Sequence, residues 1–236
     1  MKIILILCII LFIFSLLFIF YNNIKKIYRK KVVDLSFWRN KYQNHHKELL
    51  EFVKKVIPYL EKWKITYWCH AGTLLGYVRH KGFIPWDDDV DFGYIDDNRN
   101  INNLIIDLEK NNFQINRYIY FGFKIVEKNN NNIFIDMFEF TCINNMLYQT
   151  KEAQKKFPKE NYYNNEVFPI KTGYFNNIKL SIPNKPKKFC NRAFPYYNEV
   201  FYVQRPHNKK SIIEYIENII FYLYRKEKFY IKDLIN

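Results

Sequence analysis

The sequence predicts an α/β (α+β) domain, a mixed sheet flanked by helices and preceded by one N-terminal transmembrane helix. Three observations carry that reading. Ile3–Phe20 is an eighteen-residue run with no charged residue. Behind it, helical apolar spacings alternate with short β-rich runs and end in a meander, the pattern of a mixed sheet. Between the first two strands lies His70–Tyr94, HAGTLLGYVRHKGFIPWDDDVDFGY, which holds four of the chain's six glycines and four aspartates within five positions.

The elements follow in order. As a helix, Ile3–Phe20 would span ~27 Å, close to the hydrocarbon thickness of a bilayer. A cleaved signal peptide is the competing reading, and Tyr21-Asn22-Asn23 offers it no small-residue cleavage site. Residues 1–21 are therefore read as a transmembrane anchor, 22–43 as a basic juxtamembrane linker, and 44–236 as one folded domain. Lys25, Lys26, Arg29, Lys30 and Lys31 follow the span and suit phospholipid headgroups. Only Lys2 and the amino terminus precede it, which places the domain on the cytosolic side by the positive-inside rule.

Residues 44–64 carry apolar positions at helical spacing, with Pro58 expected to kink or divide the helix. Ile65–Cys69 reads as a buried strand, and Thr73–Arg79 as a short helix entered through Ala71-Gly72. Val90, Phe92 and Tyr94 alternate with Asp89, Asp91 and Gly93, the period of a strand. Residues 99–111 read as a helix and 113–119, 121–127 and 133–140 as strands, the Asn129–Asn132 run being a loop. Residues 146–157 read as a helix, Ile178–Ile182 as a strand closed by Pro183, and 211–227 as a last amphipathic helix.

Composition bounds the function. The chain has 236 residues, 49% of them hydrophobic, enough for a core and an appendage. Its net charge of +14 is dispersed, and residues 82–98 contain no Lys or Arg. That distribution, with no nucleic-acid motif, argues against a nucleic-acid partner. Four cysteines without paired spacing support neither a zinc site nor a disulfide framework.

The chemistry lies in the Gly- and Asp-rich block. Clustered carboxylates repel each other unless a cation neutralises them. Asp89 and Asp91, two apart on a strand, would share a face and hold a divalent cation. Asp136 interrupts the apolar run Phe134–Phe138 and is the candidate third acid. Magnesium fits such oxygen ligands, with manganese as the alternative. Gly72-Thr73 reads as a tight turn into a helix, a geometry that binds phosphate. Arg79, His80 and Lys81 are candidates to offset phosphate charge. Asp87 and Asp88 would cap the turn or support the metal ligands. Pro85 and Trp86 read as scaffold.

The stretch Gly72-Thr73-Leu74-Leu75-Gly76 with Arg79–Asp91 closely resembles the LicD family, which includes bacterial phosphocholine transferases and the animal fukutin and fukutin-related proteins. It is also similar to the wider nucleotidyltransferase superfamily, matching its Gly-Ser/Thr turn, Asp-x-Asp and later single acid in order. The resemblance runs from about Trp63 to Pro183. Beyond it, Arg192–Tyr197 departs from the family's Tyr-Gly pattern.

The resemblance implies a nucleotidyltransferase-like fold and a magnesium-dependent phosphotransferase. The donor would be CDP-linked, the moved group a phosphocholine, a phosphoribitol or a similar unit, and the acceptor a glycan or glycolipid hydroxyl. Asp136 would complete the metal site or accept the hydroxyl's proton. Lumenal placement, as in the animal relatives, is the alternative topology. The competing readings are a catalytically silent scaffold for a glycan-modifying partner and an RNA-directed nucleotidyltransferase. The presence of all three acids argues against the first, and the lack of a basic segment around them against the second.

Overall fold

A computed structural model of the chain describes residues 2–118, 121–201 and 229–234. Its helices and strands form a mixed α/β arrangement around a five-stranded sheet. The chain opens with α1 (Lys2–Val32) and α2 (Leu35–Lys62). Ile4 and the large apolar side chains from Ile6 to Phe20 are exposed, whereas Tyr28 and Val32 are buried in the core. Among the described residues, α1 is the one helix long and apolar enough to cross a membrane.

The basic linker is thus helical through Val32. The second helix begins at Leu35, nine residues before the expected 44. Asp34 is the cause: its Oδ1 accepts from the backbone N–H groups of Ser36 (2.9 Å) and Phe37 (3.2 Å) and caps the helix. Pro58 lies inside α2 and does not divide it. The indole N–H of Trp38 donates to Val32 O at 2.9 Å and ties the two helices together.

The sheet comprises β1 (Thr66–Cys69), β2 (Val90–Ile95), β3 (Phe113–Tyr118), β4 (Gly122–Glu127) and β5 (Asn130–Glu139), in the order β1-β2-β5-β4-β3. β2 and β5 pair in parallel and the other neighbours antiparallel. Two helices accompany these strands, α3 (Ala71–His80) between β1 and β2 and α4 (Ile101–Lys110) between β2 and β3. Leu49, Phe52, Val53, Val56 and Leu60 of α2 are all buried, with Leu104 and Leu108 of α4.

Several expected boundaries move. The Asn run is mostly strand: Asn130–Asn132 belong to β5, and Lys128-Asn129 make a two-residue turn. Cross-strand pairing overrides Asn's loop preference here. Residues 146–157 split into β7 (Met146–Tyr148) and α5 (Lys151–Lys156). Thr150 forces the break, since its hydroxyl accepts from Ala153 N–H at 3.2 Å and starts a new helix. β7 pairs with β6 (Thr141–Ile143) and β8 (Tyr162–Tyr163), which the sequence did not predict. After α6 (Asn164–Val167), β9 (Lys171–Phe175) pairs with β10 (Ile178–Ile182), and α7 (Pro186–Ala193) follows. The helix expected at 211–227 lies outside the described residues.

Candidate active site

The sheet register builds the site. In the parallel pair, Asp91 of β2 stands directly opposite Asp136 of β5. Asp89 lies just before β2 rather than on it, yet its carboxylate still converges with the other two. Ligand oxygens of Asp89, Asp91 and Asp136 all lie within 4.8 Å of one another, and all three residues are buried. Asp87, Asp88 and Asp89 form an overlapping group by the same measure. Burial, and then the charges of Asp89 and Asp136, hold the Asp91 carboxyl well above the usual carboxylate range.

One row of the sheet adds a cation. Lys124 of β4 pairs in register with Asp136, and its Nζ is 3.3 Å from Asp136 Oδ1. Three carboxylates and this ammonium leave two negative charges, which one divalent cation would cancel. An all-oxygen donor set of that charge fits a hard cation such as magnesium. Lys124 was missed in the sequence. The signal was a lone cation inside the apolar strand Phe123–Val126, but its partner depends on register.

The turn into α3 is locked onto the acids. Gly72 N–H donates to Asp91 Oδ2 at 2.9 Å, and Asp91 N–H donates to Thr73 Oγ1 at 2.8 Å. A Cβ on Gly72 would meet oxygens of Asp87 and Asp91 at 3.2 Å each, so glycine admits the close approach. Ala71, just before it, sits at φ 37, a left-handed conformation that costs an alanine about 1 kcal/mol or more. The Gly72-Thr73 turn thus faces the acidic cluster, with one of its N–H groups already engaged by Asp91.

The cationic trio separates. Arg79 lines the cleft, donating from Nε to His80 Nε2 (2.8 Å) and from Nη1 to Tyr197 O (3.2 Å). Burial pushes its guanidinium down to about 10, still charged at neutral pH. His80 is held down to about 4 by burial and by Arg79, so it is neutral there. Neither His80 nor Lys81 lines the cleft. Lys81 is exposed at the C-terminal cap of α3, with φ 59.

Two histidines that sequence reading overlooked hold the acidic loop. His45 and His46 of α2 donate from Nε2 to the carbonyls of Asp88 and Asp87, each at 2.8 Å. His46 also stacks on Phe83, with ring centroids 4.3 Å apart. Trp86 packs against Trp38 (5.8 Å) and Phe201 (4.8 Å), which is the scaffold role expected of it. A cleft of about 920 Å³ lies here, lined by the acids, Gly72 and Arg79, and by Phe121, Phe138, Phe157, Glu160, Phe194 and Tyr197 among others.

Residues 64–185 match the model of the LicD/FKTN/FKRP nucleotidyltransferase domain. The chain belongs to the LicD/FKTN/FKRP family. An uncharacterized protein of Rickettsia prowazekii is 30% identical over 161 residues, covering 68% of this chain and 59% of its own. The chain therefore spans less than two thirds of that relative's length. Lipopolysaccharide cholinephosphotransferase LicD of Haemophilus influenzae is 64% identical over 31 residues, 13% of this chain and 12% of LicD. Human ribitol 5-phosphate transferase FKRP is 44% identical over 57 residues, 24% of this chain and 12% of FKRP. Among solved structures, the lincosamide adenylyltransferase LnuA aligns with a TM-score of 0.40 at 14% identity, over 75% of this chain and 96% of that one. The named LicD/FKTN/FKRP relatives are thus phosphotransferases, and the matched segment of this chain contains the whole acidic cluster.

Proposed function

We propose that this protein is a membrane-anchored, magnesium-dependent phosphotransferase. It moves a phospho-alcohol, such as phosphocholine or phosphoribitol, from a CDP-linked donor to a hydroxyl of a glycan or glycolipid. The observation that carries this reading is the register of Asp91 against Asp136, with Asp89 converging on both at the wall of a cleft.

Asp89, Asp91 and Asp136 would hold the cation. When bound, it neutralises diphosphate charge as the phosphodiester bond exchanges. Thr73 orients Asp91 through the backbone, and Gly72 leaves room for the donor beside the carboxylates. Arg79 supplies a permanent positive charge on the cleft wall for a donor phosphate. His45 and His46 fix the carbonyls of Asp87 and Asp88 and so set the path of the acidic loop. The apolar half of α1 would anchor the chain, with the basic residues after it and the catalytic domain on the cytosolic side.

The test uses the full chain in detergent or nanodiscs with magnesium and CDP-choline, CDP-ribitol or CDP-glycerol. CMP release that requires the metal and one of these donors is the expected result. Absence of CMP with every donor, in protein shown to be folded, would overturn the reading. Protease protection in sealed membranes tests the topology separately: a protected domain refutes the cytosolic placement.

A further inference from the structure

The cleft contains a carboxyl that the acidic cluster does not use. Glu160 lies between α5 and β8 and lines the same cleft as Asp89, Asp91 and Asp136. Its side chain is 14% exposed, and its Oε2 stands 3.5 Å from Nε2 of His70. His70 is fully buried at the start of α3, with its Nδ1 2.9 Å from the Tyr162 hydroxyl. Burial pushes the imidazole down to about 3, so it is neutral at physiological pH and carries a single ring N–H. In the tautomer where the Tyr162 hydroxyl donates to Nδ1, that N–H sits on Nε2 and faces Glu160.

Apart from a side-chain hydrogen bond from Gln149, which favours the carboxylate, the surroundings of Glu160 favour its protonated form. Gln149 Nε2 donates to the Glu160 backbone carbonyl at 3.4 Å and stands 3.2 Å from His70 Nε2. Asp91 is close enough for the two carboxylates to repel. Lys156 shares the cleft lining, while Arg192 is turned to Glu166 at 2.8 Å. Among the described residues, no lysine or arginine lies within ion-pair distance of Glu160. Burial pushes its carboxyl up to about 7. A group that exchanges a proton near neutral pH, inside the cleft, has the properties of a catalytic base.

Asp136 is the competing candidate. Its carboxylate is already committed to the acidic cluster with Asp89 and Asp91, and its Oδ1 faces the Lys124 ammonium at 3.3 Å. We infer that Glu160 is the general base of the transfer and that His70 and Tyr162 are positioning residues that aim it. The inference rests on the phosphotransferase reading above. The acceptor hydroxyl oxygen attacks the phosphorus that carries the transferred alcohol. The bond from that phosphorus to the bridging oxygen breaks, and CMP leaves with the electron pair. The hydroxyl proton passes to Glu160 and then to water.

The experiment compares Glu160→Gln with the wild-type full chain across pH 5.5–9. In the wild type, kcat/KM should fall on the acid side with an apparent pKa near 7. The variant should lose about 100- to 10,000-fold in kcat and lose that acid limb, while binding Mn2+ with unchanged affinity by EPR. Tyr162→Phe keeps the ring packing and removes the hydroxyl, so it should shift the limb and lower kcat with KM unchanged. In carboxyl-13C-glutamate-labelled protein, one resonance should titrate near neutrality and vanish in Glu160→Gln. Wild-type kcat and acid limb in the variant, or no glutamate titrating above pH 6, would overturn the assignment. No CMP from any donor in the wild type would instead bring down the phosphotransferase reading and the base with it.

Discussion

Two parts of the cleft lining are made by different means. One part, Gly72, Asp91 and Asp136 with Asp89, is set by the register of neighbouring strands and by backbone hydrogen bonds. The other, Phe157, Glu160, Phe194, Tyr197 and Phe201, comes from short helices and connecting segments that meet through side-chain packing. Strand register fixes a side chain to within a fraction of its own length, because a one-residue slip would reverse its face. Packed segments tolerate change more readily. Under the proposed function, the sheet side would hold the cation, while the packed side would carry the proposed base and meet the donor and acceptor.

The largest effect should come from the sheet side. Asp136→Asn removes a charge opposite Asp91 and leaves the Lys124 ammonium facing a neutral amide. CMP release should fall about 1,000-fold or more, since a bound cation is worth several kcal/mol of transition-state stabilisation. Mn2+ affinity should fall in parallel. If binding is lost while turnover persists, the acids do not act through a cation, and the contrast between the two linings loses its chemical basis.

A second expectation concerns pH in metal-free protein. His46, His80 and His70 are pushed down to about 4, 4 and 3, so their stabilising share is lost as pH falls below about 6.5. Glu160 is pushed up to about 7 and Asp91 well above its usual range, so their share is present at low pH and lost as pH rises. For Glu160 alone the loss between pH 4.5 and about 7 is on the order of 3 kcal/mol. Between pH 4.5 and 6.5, three histidines outweigh two carboxyls and stability rises. Above 6.5 only the carboxyls still differ between folded and unfolded chains, and stability falls. Thermal melts in EDTA should therefore peak near pH 6.5. Saturating magnesium should raise Tm more at pH 8 than at pH 6, because the cation displaces the protons the acids would otherwise retain. A monotonic rise to pH 8.5 without metal would contradict these environments.

The same contrast explains what was legible in the sequence. Asp89, Asp91 and Asp136 could be found because each breaks a local pattern: two acids at period two, and one acid in an apolar run. Gly72 could be found because a turn between strand and helix has few other uses for glycine. Lys124, His45 and His46 were not found, because their partners lie 12, 43 and 41 residues away in sequence and only register or helix docking brings them together. Glu160 sits in a short connection without periodicity, so its sequence neighbourhood resembles an ordinary solvated loop. The early start of α2 was missed for a local reason, since Asp34 caps a helix whose first turns carry many polar and basic residues.

The smallest expected effect divides the cationic trio. Arg79, His80 and Lys81 are adjacent in sequence, and a linear reading gives them one role. The structure gives them three environments: a charged guanidinium on the cleft wall, a neutral imidazole accepting from it, and an exposed ammonium at a left-handed helix cap. Arg79→Lys should lower kcat/KM about tenfold, because lysine cannot hold His80 and the Tyr197 carbonyl while meeting a phosphate. Lys81→Ala should change kcat/KM less than about twofold, as surface charges away from a site generally do. Lys81→Gly should stabilise the fold slightly, by up to about 1 kcal/mol, since φ 59 suits glycine. A large loss in Lys81→Ala would mean that the donor reaches beyond the described cleft, over the end of α3. The division between a sheet-built side and a packed side would then have to be redrawn to include that helix end.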